Sequence, residues 1–159
     1  MLDPKPILIL GIGNILLRDE GVGVHAVNRI KESDLPPHVE LMDGGTMGLN
    51  LLYHIEGRKK VIVIDTVLTD DPPGTIYRFT DESLHYNRPA LRTAHGIDFT
   101  DVIKTAELLG TKPEEIVFIG IRPESIDEGL DLTPTIEKRV PVLIKMVMRE
   151  IAARADEIH

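Results

Sequence analysis

The chain has no cysteine and no tryptophan, and only three tyrosines, three phenylalanines and three serines in 159 residues. Without thiols there can be no disulfide, no cysteine nucleophile and no thiolate zinc or iron-sulfur site. Any metal must be held by His, Asp, Glu or backbone oxygen. Basic residues are also in deficit: 18 Lys and Arg against 26 Asp and Glu give a net charge of -8. That disfavours a nucleic-acid backbone or an anionic membrane as partner. No apolar run approaches the roughly 18 to 20 residues that span a bilayer. The opening MLDPKP has no signal-peptide pattern, so a cytoplasmic protein is expected.

Nucleophile motifs are missing too. Ser125 lies in PESID rather than in G-x-S-x-G, no H-E-x-x-H occurs, and Asp65-Thr66 is followed by Val67 where an aspartic protease needs glycine. What the chain does have is aliphatic residues: hydrophobics make up 42% while aromatics supply only 4%. Such a composition folds, with a core of Ile, Leu and Val. Its size suits a single domain over residues 1–159, expected to be a monomer.

The run from Ile7 to Leu10, followed by Gly11 and Gly13, reads as a buried parallel strand ending in a glycine turn. Asp19 is positioned to cap a helix from Glu20 to Lys31. Val39–Met42 followed by Asp43, Gly44, Gly45 and Thr46 repeats this grammar, with Thr46 as the expected cap of a helix ending at Gly57. Val61–Ile64 is the most apolar strand and ends at Asp65. The turn containing Pro72, Pro73 and Gly74 leads directly to a strand over Thr75–Phe79, a connection too short for a parallel crossover, so this strand is expected to be antiparallel. Residues 81–96 are polar and aperiodic, a candidate functional loop. Val102, Ile103, Ala106 and Leu109 mark a helix stopped by Gly110, and Ile116–Ile121 forms another strand. Thr133 and Pro134 open the last helix, in which Pro141 predicts a kink or a lost hydrogen bond. The alternation predicts an α/β fold, a three-layer α/β/α sandwich around a mostly parallel twisted sheet of about five strands, one of them antiparallel. Right-handed crossovers would place Gly13, Asp43 and Asp65 on one sheet edge.

Gly11 and Gly13 invite a dinucleotide-binding reading, but Leu16 holds the third glycine position and no acidic residue closes a second strand at the required distance. A structural role for these glycines and no bound nucleotide are expected. Glu20, Asp65 and His95 remain, each at a strand end or in a loop, as a set suited to a borderline divalent ion. Each also has a quieter explanation. Glu20 and Asp43 suit helix N-termini through the macrodipole, and a loop histidine is ordinarily a surface residue. Asp65 is the hardest to explain away, because an uncompensated carboxylate at the mouth of a covered sheet is costly. His25 is five residues beyond Glu20, off its face, and is expected to point to solvent. His38, His54, His85 and His159 have no partner at ligand spacing, and Asp70–Asp71 and Glu114–Glu115 read as solvated turn charges.

Taken together, GIGNILLRDEGVG from Gly11 to Gly23, Asp43–Thr46, Val61–Asp65, Pro73–Thr75, Thr93–His95, Gly120–Glu124 and Leu132–Thr135 resemble the nickel-iron hydrogenase maturation endopeptidases, peptidase family M52. The likeness spans nearly the whole chain. It implies an endopeptidase that removes the C-terminal extension of a hydrogenase large-subunit precursor after nickel insertion. It also implies metal contacts at Glu20, Asp65 and His95 and a catalytic or recognition role for Asp43 beside Asp65. The nickel is expected to arrive with the precursor. One departure is visible: Thr93 stands where a serine is common, and it keeps the hydroxyl. A rival reading is a maturation chaperone that binds metal or precursor without cleaving; a nucleotide-binding α/β protein is a weaker third.

Overall fold

The computed structural model describes residues 3–82 and 99–157. Most of the 81–96 stretch, including Thr93 and His95, lies outside these residues. So do His85 and His159. Five strands, β1 (Ile7–Ile12), β2 (Val39–Gly45), β3 (Lys60–Thr66), β4 (Ile76–Thr80) and β5 (Glu115–Ile121), form one sheet in the order β2-β1-β3-β5-β4. β1 pairs in parallel with β2 and β3, and β3 with β5, while β4 runs antiparallel to β5 at the sheet edge.

Every residue of β1 and of β3 is buried, which requires cover on both sheet faces. One face carries α1 (Val22–Ile30) and α4 (Pro134–Glu157): Ile7, Ile9, Ile62, Ile64, Val117 and Ile119 meet Ala26, Val27, Val140 and Leu143. The other carries α2 (Leu52–Ile55) and α3 (Phe99–Leu109), where Leu8, Leu10, Val61, Val63 and Phe118 pack on Ile55, Phe99, Val102 and Ile103. Alternate residues of each strand thus feed two separate cores, giving the expected three layers.

Two helix starts differ from their sequence expectation. α1 begins at Val22 after a 3-10 turn over Arg18–Gly21, with Gly21 at the capping position and no side-chain cap. Asp19 does not cap because its carboxylate is engaged elsewhere in the fold. α2 is a single turn entered through a 3-10 turn at Gly48–Leu51, and Met47, not Thr46, precedes it. Asp81 and Glu82 are helical rather than irregular. α4 runs through Pro141 without interruption.

The first turn of α1 sits almost directly on the sheet. A Cβ on Gly23 would lie 2.2 Å from the Ile64 carbonyl oxygen and 2.5 Å from that of Ile12, both rigid backbone. Gly11 faces the same contact from below, where an added Cβ would lie 2.2 Å from the Gly23 carbonyl oxygen. The glycine-rich segment is therefore a packing device that lets α1 settle over the gap between β1 and β3. Gly23→Ala should destabilise the protein at the upper end of the roughly 1–3 kcal/mol typical of overpacking. Thermal unfolding checks this; an unchanged midpoint would mean that the helix is not held so tightly.

Candidate functional site at the carboxyl edge of the sheet

The chain leaves β1 toward β2 on one side, then returns to place β3 on the other. In an open α/β sheet that reversal opens a crevice beyond the strand ends, here between β1 and β3. Asp65 is the penultimate residue of β3, pairs with Gly120 of β5 and is 1% exposed. Its Oδ1 accepts the Thr66 backbone N–H at 2.7 Å, and its Oδ2 is also shielded from solvent. The hydroxyl of Thr66, fully buried next door, has no hydrogen-bond partner among the described residues.

Glu20 arrives at the same crevice from the loop after β1. It is 3% exposed, and its carbonyl oxygen presses on Gly13, where an added Cβ would lie only 1.9 Å away. Because the next residues of α1 rest on the Ile64 carbonyl, immediately before Asp65, the turn that carries Glu20 and the end of β3 that carries Asp65 are held close together. Asp43 sits one strand further out, in register with Gly11. It differs from the other two in being exposed, and its Oδ1 accepts the Gly45 N–H at 2.9 Å, a local turn that stabilises the positive φ of Gly45. The loops of β1 and β2 are tied together here by a 2.9 Å bond from Gly13 N–H to Gly45 O.

Asp43 and Asp65 thus share one edge, as the topology predicts, and Glu20 lies in the loop that leaves β1 on that side. The fourth, His95, is outside the described residues, and among those described no group of three or more His, Cys, Asp or Glu is gathered to hold a metal. Two buried carboxylates and an exposed third are what the edge presents.

Sequence reasoning missed the residue most deeply built into this region. Asp19 is fully buried, and its carboxylate accepts four hydrogen bonds: from Thr133 N–H at 2.8 Å on Oδ1, and from Glu124 N–H at 2.9 Å, Ser125 N–H at 3.0 Å and the Thr133 hydroxyl at 2.8 Å on Oδ2. All the donors lie on the 122–133 segment joining β5 to α4. The only available signal was the pair of motifs Gly120–Glu124 and Leu132–Thr135, whose shared acceptor no spacing rule identifies. Next to it Arg18 adopts φ 48°, the left-handed region, alone among the described non-glycine residues. That conformation costs on the order of 1–3 kcal/mol and persists only where neighbours enforce it.

Other expectations change in detail. His25 is half-buried rather than solvent-facing, with Nε2 shielded and without a partner among the described residues. Asp71 is not merely solvated: it accepts the Tyr77 hydroxyl, which Thr69 Oγ1 also meets at 2.6 Å. Burial, with help from Asp71, pushes that hydroxyl's pKa up. Glu115 pairs with the buried Lys60.

The architecture has known counterparts. A family model described as HycI, hydrogenase maturation protease, matches residues 24–150. The hydrogenase expression/formation protein HupD of Rhodobacter capsulatus is 37% identical over 158 residues, covering 98% of this chain and 75% of the relative. The hydrogenase 2 maturation protease of Escherichia coli K12 is 35% identical over 148 residues, 89% of this chain and 88% of its own. Among solved structures, the hydrogenase maturating endopeptidase HybD from E. coli superposes with a TM-score of 0.86 at 32% identity, covering 93% of each chain. These matches run over most of the chain, and the protein belongs to the hydrogenase maturation protease family.

Proposed function

We propose that this chain is an endopeptidase that removes the C-terminal extension of a nickel-iron hydrogenase large-subunit precursor, and that it acts once nickel is in place. The observation that carries the reading is the burial of two acidic residues, Glu20 and Asp65, in the loop after β1 and at the end of the neighbouring β3. Glu20, Asp65 and His95 meet the nickel that the precursor brings. Two carboxylates and an imidazole suit a borderline divalent ion and leave room for ligands the precursor already supplies. The metal then fixes the scissile bond against the edge, and positioning of this kind contributes several kcal/mol of barrier reduction. Water adds to the scissile carbonyl, the C–N bond breaks, and the departing amine takes up a proton. Asp43 and Asp65 are the candidate carboxylates for this proton traffic.

The same edge is rimmed by exposed apolar side chains: Ile15 and Leu16 after β1, Met47 and Leu49 after β2, and Ile126 and Leu130 after β5. A rim of that kind suits a folded protein substrate better than a small molecule. The enzyme is proposed to work as a cytoplasmic monomer.

Incubating the purified chain with nickel-loaded, tailed precursor and weighing the products by mass spectrometry tests the reading. A single loss equal to the tail is expected. Stable association with no loss would replace the protease by a metal- or precursor-binding chaperone.

A further inference from the structure

We propose that Asp19 is the positioning residue of the site, holding the turn that carries Glu20 against the 122–133 segment. The proposal rests on the reading that Glu20 serves in processing. Asp19 is fully buried and spends both carboxylate oxygens on one stretch of chain, taking two backbone N–H groups just beyond β5 and both donors of Thr133 at the foot of α4. The backbone of the turn joins in. Asp19 N–H donates to Ser125 O at 3.1 Å, Arg18 N–H to Gly129 O at 2.9 Å, and Gly129 N–H to Leu16 O at 2.9 Å.

This density of bonds exceeds what joining a loop to a sheet requires, and it coincides with strain. Arg18, adjacent to Asp19, is the residue forced to φ 48°. A turn left to relax would abandon that conformation. Thr133, the residue before Pro134, commits both its backbone N–H and its hydroxyl proton to Asp19. On the opposite side Glu20 is pressed against Gly13. Glu20 is therefore gripped between β1 and, through its neighbour Asp19, the linker from β5 to α4. A carboxylate that must meet an ion carried by another protein needs such pre-organisation.

Asparagine at position 19 would turn an amide donor toward at least one of the N–H groups now satisfied. The test is a double-mutant cycle on processing of nickel-loaded precursor, with rates taken per folded molecule at a temperature where circular dichroism shows each variant folded. Asp19→Asn should lower kcat about 10-fold or more, and Asp19→Asn combined with Glu20→Gln should be no slower than Glu20→Gln alone. Thr133→Val removes one donor and should lower kcat about threefold, whereas Thr133→Ser keeps the wild-type rate. A folded Asp19→Asn protein with wild-type kcat, or losses that multiply with Glu20→Gln, would overturn the proposal.

Hydrogen exchange reads the same claim without cleavage, and so separates its failure from failure of the protease reading. Asp19→Asn should speed exchange within 18–21 and 122–133 while β1 and β3 stay protected. Uniform acceleration that included β1 and β3 would mean that Asp19 only stabilises the fold.

Discussion

Asp65→Asn is expected to slow precursor processing by roughly 10²- to 10⁴-fold, the range seen when a positioned proton-transfer group is removed, while circular dichroism stays near wild type. The substitution keeps the side chain's size, and one amide oxygen can still accept the Thr66 N–H that Asp65 Oδ1 now holds. What it removes is negative charge at a position 1% exposed, where water cannot substitute for it. A carboxylate needed only for the strand end would show the opposite pattern, a lower melting point with the rate intact. His95→Ala should give a comparable loss if the imidazole joins the same metal contact. Rates on nickel-loaded precursor beside thermal melts separate the two outcomes.

The largest stability effect is expected at the other end of the sheet. Lys60 opens β3 and is 1% exposed; its Nζ donates to the backbone carbonyl and to Oε2 of Glu150, each at 2.9 Å, and lies 3.5 Å from Glu115 Oε1. Arg78 of β4 donates to both oxygens of Glu150. Glu150→Gln strips the buried ammonium of its nearest counter-charge, which ordinarily costs about 3–5 kcal/mol. The lower end applies, because Glu115 and the main-chain carbonyl remain. A loss of about 3 kcal/mol corresponds to roughly 6–12 °C in melting temperature for a chain of this size.

The pH dependence of that loss has a definite sign. Burial, the largest single influence on Glu150, pushes its pKa up, but the hydrogen bonds from Arg78 and Lys60 and the positive charges of both together outweigh it and hold the carboxyl below its ordinary value. A group whose folded pKa is depressed stabilises the fold fully above its unfolded pKa, about 4.3 for glutamate, and loses that contribution as pH falls through the folded value. The gap between wild type and Glu150→Gln should be widest above about pH 5 and should shrink as the pH drops below about 4.3. A gap that widened on acidification would contradict the pairing. Thermal melts across the acid range supply the measurement.

How much of this was legible in the sequence follows from which forces were local. β1 and β3 could be read because strands covered on both faces need unbroken apolar runs, and Ile7–Leu10 and Val61–Ile64 have them. Once β2 was parallel to them as well, Asp43 and Asp65 had to share an edge. The antiparallel edge strand β4 followed from a turn too short to cross the sheet. The start of α1 was misread because Asp19 looks like a cap by propensity, whereas its acceptors are claimed by backbone more than a hundred residues away. The Lys60–Glu150 pair spans 90 residues and belongs to no period or motif. Asp43 shows the converse: its place on the edge was foreseen, yet its exposure and its turn bond to Gly45 depend on tertiary context.

The central claim, that the carboxylate edge cleaves a precursor by reading the nickel inside it, is tested most directly by parallel time courses of processing with nickel-loaded and nickel-free precursor, wild-type protein beside Asp65→Ala, followed by intact mass. The account predicts one mass decrease, equal to the tail, only where wild-type protein meets loaded precursor. Equal cleavage of nickel-free precursor, or cleavage by Asp65→Ala at the wild-type rate, would contradict it.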